Sequence, residues 1–154
     1  MTASRESRWP QGGAHKRTTF GGLTRSQLMS RIRSHGNKTT ELKMAEILRQ
    51  NRVSGWRRNY PILGSPDFVW PKKKVALFVD GCFWHGHDCR NLKPSGNARV
   101  WEKKILHNKR RDRKVSLRLR QDGWFVTRVW ECDLKCRPQF IIRRIERLLT
   151  KRNN

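Results

Sequence analysis

An α/β domain with a mixed sheet is the fold this sequence predicts, and three observations carry the expectation. The run VALFVD, Val75 to Asp80, is almost continuously apolar, the pattern of a central strand buried on both faces. A second strand-like run, WFVTRVWE, spans Trp124 to Glu131. Between the two lies a long segment, Ala98 to Gln121, whose apolar residues recur at helical spacing. Strands alternating with helices pack as layers, with helices flanking the sheet.

The remaining elements follow in chain order. Residues 1–22 are polar, basic and glycine-containing, and are expected to form a flexible basic segment; residues 23–154 are expected to form the folded domain. Leu23 to Arg33 predicts a short helix carrying Leu28, Met29 and Ile32. Thr39 or Thr40 can cap a second helix that runs to about Asn51, with Leu42, Met44, Ala45 and Leu48 as its buried stripe. Trp56–Tyr60 reads as a strand, Pro61 and Gly64-Ser65-Pro66 as turns, and Asp67–Trp70 as a second short strand. Gly123 stops the long helix. Pro138 opens a terminal amphipathic helix with Phe140, Ile141, Ile145, Leu148 and Leu149.

Charge narrows the function. Thirty-six Lys and Arg stand against twelve Asp and Glu in 154 residues, a formal charge of +24. Such a field selects a polyanionic partner, and nucleic acid is the first candidate. A non-catalytic packing protein of the ribosomal or chromatin kind satisfies the same charge. No apolar run approaches the roughly 18 residues a membrane span needs, and the N-terminal stretch has no apolar core of a secretory signal. A cytoplasmic protein is therefore expected. In a reducing compartment Cys82, Cys89, Cys132 and Cys136 read as metal ligands or free thiols before disulfides.

Three potential ligands crowd into eight residues: Cys82, His87 and Cys89. Cys132 follows directly after the WFVTRVWE strand. Three thiolates and an imidazole make a closed, structural Zn²⁺ site that ties a loop to the sheet. His85 and Cys136 are the alternative fourth ligands.

With only twelve acids, each can be weighed. Glu6 falls in the N-terminal segment, and Glu46, Asp88, Glu102, Asp122, Asp133 and Glu146 fall at positions predicted to be exposed. Glu41, Asp67, Asp80, Asp112 and Glu131 remain. Asp67 opens one predicted strand and Asp80 ends the next, so the two can converge on one Mg²⁺, which is held by one or two carboxylates and by substrate phosphate oxygens. Such an ion supports phosphodiester hydrolysis. The general Pro-Asp…Asp/Glu-x-Lys nuclease pattern is met only in its first half, because Gly81 and Cys82 follow Asp80. In the long helix, Trp101, Ile105, Asn108, Asp112, Val115 and Leu119 share one stripe. Its two polar members either anchor backbone groups and a buried Arg or take part in catalysis. His85, on a tight loop near Asp80, is a candidate general base.

The string VDGCFWHGHDC, residues 79–89, resembles the signature of the very-short-patch (Vsr) mismatch endonucleases. TRSQLMSRIRSHGNKTTEL, GSPDFVW, HNKRRDRK and GWFVTRVWEC resemble further segments of that family in the same order, so the likeness covers roughly residues 23–135. The resemblance implies a restriction-endonuclease-like fold and Mg²⁺-dependent nicking of duplex DNA 5′ to the thymine of a T·G mismatch, by a monomer in the nucleoid. A mismatch-repair protein is a candidate partner. By position it makes Asp67 the metal-binding aspartate and His85 the catalytic histidine. Cys82, His87, Cys89 and Cys132 become the Zn²⁺ ligands, and Asp112, Asn108 and Glu41 supporting active-site residues. It makes Phe83, Trp84 and Trp101 aromatic wedges at the mismatch, and Met29 a residue inserted from the other groove. Apolar wedges unstack a base step at a cost of a few kcal/mol, and a mismatch lowers that cost. The plainer alternative is that Phe83 and Trp84 pack on the zinc loop. One position departs from the family: Asp80 stands where a histidine assists at the phosphate. Two rivals remain, a restriction-type or defence nuclease without mismatch preference and a non-catalytic, zinc-stabilised DNA-binding protein.

Overall fold

The computed structural model describes residues 40–89 and 98–151, all within one compact unit. The expected helix over 23–33, the basic segment 1–22 and Met29 lie outside the described residues. Helix α1 is Glu41–Gln50, strand β1 is Phe68–Trp70 and β2 is Val75–Asp80. Helix α2 is Ala98–Gln121, β3 is Phe125–Trp130, α3 is Glu131–Cys136 and α4 is Pro138–Thr150.

The sheet has order β1-β2-β3. β1 and β2 are antiparallel, with Phe68 opposite Leu77 and Trp70 opposite Val75. A 3₁₀ turn, Pro71–Lys73, joins them and closes on Lys74 in the left-handed region. β2 and β3 are parallel, with Val75 opposite Phe125 and Asp80 opposite Trp130, and a parallel pair requires a long crossover, which α2 provides. Every residue of the central strand β2 is buried, as its apolar run predicts.

Alternation along the strands sorts the two faces. Phe68, Trp70, Val75, Leu77, Val79 and Val129 join Met44, Ala45, Ile47 and Leu48 of α1 and Ile141, Ile142 and Ile145 of α4 in one core. The other face, with Val69, Ala76, Phe78, Asp80 and Arg128, turns toward α2. The polar stripe of α2 therefore meets the carboxyl end of β2.

Four sequence expectations are corrected. Trp56–Tyr60 is not a strand: a single bridge, Arg57 to Val69, forms before Asn59 turns the chain at φ 52°. Leu42 is exposed, and Ile47 takes its place in the stripe of α1. Phe140 is exposed beneath the Arg137 guanidinium, while Ile142 is buried. Asp133 is buried rather than exposed, because α3 turns it toward Arg137, whose guanidinium it accepts at 2.6 Å.

Candidate active site and metal centre

At the carboxyl end of β2 the chain leaves the sheet through Gly81 and makes two tight turns before Cys89. The His85 and His87 amides donate to the Gly81 and Cys82 carbonyls. Between the two histidines, Gly86 has φ 64°, and a Cβ there would meet Ile105 Cγ2 at 2.5 Å and Lys109 Cε at 2.6 Å. Glycine thus permits both the left-handed turn and the close approach to α2. The reversal sends His85 and His87 to different places.

His87 joins Cys82, Cys89 and Cys132, and one ligand atom from each lies within 4.8 Å of all the others. Cys132 Sγ is 3.4 Å from His87 Nδ1, close to the edge of a tetrahedral shell with bonds of about 2.0–2.3 Å. The His87 ring lies flat on Trp130, centroids 4.3 Å apart, which fixes its plane. None of the four cysteines is joined in a disulfide. Burial, and then the neighbouring thiols Cys82 and Cys89, push Cys132 up to about 12, and burial likewise raises Cys82. A dication among these sulfurs favours the thiolates that their crowding otherwise disfavours, so the donor set fits Zn²⁺. The alternative ligands do not join the cluster: His85 faces elsewhere, and Cys136 is exposed at the end of α3.

His85 instead meets the inward stripe of α2. Its Nδ1 lies 2.5 Å from Asp112 Oδ2 and 3.7 Å from Asp80 Oδ1. One turn earlier on the helix, Asn108 Nδ2 donates to the Trp84 carbonyl at 2.8 Å and so pins the same loop. Both structural roles considered for this pair have counterparts, since Asn108 anchors backbone and Asp112 also takes the half-buried Arg128.

Asp67 and Asp80 come to the same end of the sheet, as their sequence positions imply. Asp67 Oδ2 accepts the Val79 amide at 2.6 Å, which locks its carboxylate against β2. Asp80 is almost fully buried, and both its oxygens are engaged by Arg128, Nε to Oδ2 at 2.6 Å and Nη2 to Oδ1 at 2.7 Å. Arg128 Nη2 also reaches Asp112 Oδ1 at 3.2 Å, and the guanidinium lies 4.5 Å above the Phe78 ring. Burial works against its charge, but Asp80 first, then Asp112 and Asp67, outweigh it and hold its pKa above the ordinary value. Sequence reasoning passed over Arg128. The available signal was a basic residue alternating with Val126 and Trp130 on a strand of an enclosed sheet, a position that demands a carboxylate. Glu41, buried at the start of α1, pairs with Arg58, whose guanidinium lies 5.9 Å over Phe68, the neighbour of Asp67.

Beside His85, three aromatic rings form a mutual edge-to-face cluster. Phe83 and Trp84 are 5.2 Å apart, Phe83 and Trp101 5.4 Å, and Trp84 and Trp101 5.6 Å. All are half-buried. Lys104 Nζ sits 5.6 Å and 5.8 Å over the two indoles, a contact the sequence reading did not single out.

Comparison of the sequence with known proteins points to one family. The profile of the family described as DNA mismatch endonuclease Vsr matches residues 18–91. The chain is 38% identical over 113 residues to type II nicking enzyme V.XorIIP of Xanthomonas oryzae pv. oryzae, covering 71% of this chain and 81% of that one. It is 40% identical over 112 residues to type II nicking enzyme V.NmeDIP of Neisseria meningitidis serogroup C, covering 71% and 75%. It is 36% identical over 117 residues to DNA mismatch endonuclease Vsr of Escherichia coli strain K12, covering 75% and 74%. The profile match and these relatives show that the chain belongs to the Vsr family of DNA endonucleases.

Proposed function

We propose that this endonuclease nicks duplex DNA 5′ to the thymine of a T·G mismatch by Mg²⁺-dependent phosphodiester hydrolysis, on a restriction-endonuclease-like core braced by a structural Zn²⁺. The observation that carries the reading is His85 held by Asp112 at the end of the sheet where Asp67 is anchored on Val79, on the same short loop as Phe83 and Trp84. With Nδ1 engaged by a carboxylate, Nε2 is the nitrogen that takes a proton from the attacking water. Asp67 is the carboxylate anchor for Mg²⁺, and Asp80 meets the cation only by releasing Arg128. Mg²⁺, when bound, supplies electrostatic stabilisation of the charge that develops on the phosphate. Cys82, His87, Cys89 and Cys132 hold Zn²⁺ and keep the loop rigid.

The +24 charge binds any duplex through its phosphates, so selectivity has to come from groups that read the base stack. Phe83, Trp84 and Trp101 serve as the wedge, with Met29 as the insertion from the opposite groove. Asn108 supports the wedge through the Trp84 carbonyl, and Glu41, through Arg58, supports Phe68, the strand residue next to Asp67. Action as a monomer, with a mismatch-repair protein as candidate partner, is part of the proposal. Among the described residues no helix is long and apolar enough to cross a membrane; action on cytoplasmic, nucleoid DNA is part of the proposal.

The test is nicking of an end-labelled T·G duplex with Mg²⁺ and with chelator, by wild type and by Asp67→Ala. Wild type cuts only with Mg²⁺, and Asp67→Ala binds but does not cut. Near-normal nicking by Asp67→Ala would show that the cation is anchored elsewhere.

A further inference from the structure

We infer that Arg128 is a positioning residue for the nicking reaction: it ties Asp80 to Asp112 and, through Asp112, sets the orientation of His85. The inference rests on the reading of His85 given above. Three elements that are remote in sequence meet at this guanidinium. Asp80 comes from β2 and takes Nε and Nη2 at 2.6 and 2.7 Å. Asp112 comes from α2 and takes Nη2 at 3.2 Å. Asp112 spends its other oxygen on His85 at 2.5 Å. The acid that orients the histidine is therefore itself oriented by the arginine, and the arginine is clamped by a buried acid.

The alternative role, direct contact with a DNA phosphate, fits less well. Arg128 Nη1 is shut away from solvent and has no hydrogen-bond partner among the described residues. The other two nitrogens are already committed to carboxylates, and the guanidinium carbon lies 4.5 Å from the centre of the Phe78 ring. Exposed basic residues such as Arg111 are better placed for phosphates, and Arg111 reaches Asp112 only at 3.5 Å. A planar fork with several donors can bridge two carboxylates in fixed geometry, which a lysine ammonium cannot do.

Balance among the charges gives a second reason. Asp80, Asp112 and Asp67 crowd one end of the sheet, and Arg128 is the cation placed among them. Removing it leaves Asp80 buried without a counterion, which is costly; removing Asp80's charge at the same time relieves that cost. The two effects separate a purely structural role from a positioning one.

The experiment compares wild type, Arg128→Lys, Arg128→Met and the double variant Asp80→Asn/Arg128→Met. For each, single-turnover nicking of a T·G duplex at saturating protein, duplex affinity without Mg²⁺ and melting temperature are measured. The expected result is nicking slower by about tenfold or more in all three variants, the scale of one lost charge-assisted hydrogen bond, with affinity changed far less. Arg128→Lys melts near wild type and stays slow, which supports positioning even where Arg128→Met fails to fold; the double variant melts near wild type. Wild-type rates in Arg128→Lys overturn the inference. A double variant that regains both stability and rate also overturns it, because Arg128 would then only neutralise Asp80. His85→Ala is the control on the underlying reading. If it nicks like wild type, that reading fails and this inference falls with it; if it is inactive while Arg128→Met is fast, only this inference fails.

Discussion

Replacing Gly86 by alanine tests whether the loop between the two histidines is as tightly constrained as its geometry indicates. Two costs add at this position. The backbone sits at φ 64°, a conformation that costs an L-residue about 1–2 kcal/mol. The new methyl would also meet Ile105 Cγ2 at 2.5 Å and Lys109 Cε at 2.6 Å. Lys109 can swing its flexible end aside, but the branched Ile105 on α2 cannot, and overpacking of that kind costs about 1–3 kcal/mol. The sum is about 2–5 kcal/mol, or roughly 4–20 °C in melting temperature for a domain of this size. Gly123→Ala is the internal comparison. Gly123 has φ 79°, but a Cβ there meets nothing nearer than Lys74 Nζ at 3.9 Å, so only the backbone cost of about 1–2 kcal/mol applies. Calorimetry on zinc-loaded proteins should rank wild type above Gly123→Ala and Gly123→Ala above Gly86→Ala. Nicking should fall in Gly86→Ala alone, because relief of the clash moves His85 away from Asp112. A Gly86→Ala protein that melts and nicks like Gly123→Ala would refute the close packing of this loop on α2.

Further outcomes follow from the same contacts. In Asp112→Asn, one amide face must oppose either His85 or Arg128, donor against donor; losing a charge-assisted bond of about 1.5–3 kcal/mol slows single-turnover nicking roughly 10- to 150-fold with little change in duplex affinity. Cys132→Ala removes one of four ligands, so elemental analysis should find less than the one Zn²⁺ per chain expected of wild type, and soluble yield should drop because metal binding is linked to folding. Trp84→Ala slows T·G nicking by about 1–3 kcal/mol, the range of one base–aromatic stack; an unchanged rate would mean that the three rings only pack the zinc loop.

The elements that position the site were legible because their patterns are local. The apolar run of β2 and the helical period of α2 fixed both elements, and with them the stripe that carries Asn108 and Asp112. The ligand cluster was legible from spacing, since three donors within eight residues have few other uses. What escaped was pairing across the fold. Arg128 looks like one basic residue among many, and nothing local says that β3 lies parallel to β2 and brings it against Asp80. Asp80 was read as a metal ligand because strand-end carboxylates converge, whereas the fold gives it a guanidinium first. Trp56–Tyr60 has strand-like composition, yet one left-handed residue, Asn59, limits it to a single bridge. Asp133 follows the same rule: the short helix α3, unpredicted between β3 and α4, turns it inward.

The central claim is mismatch-directed cutting, and the rate ratio between two duplexes tests it most directly. Single-turnover nicking of otherwise identical T·G and T·A duplexes by the zinc-loaded protein in Mg²⁺ should give fast cutting 5′ to the mismatched thymine and much slower cutting of the paired duplex. The wedge opens a weak base step at lower cost than a sound one. Equal rates on the two duplexes would contradict the account and make the protein a nuclease of the same family without mismatch preference.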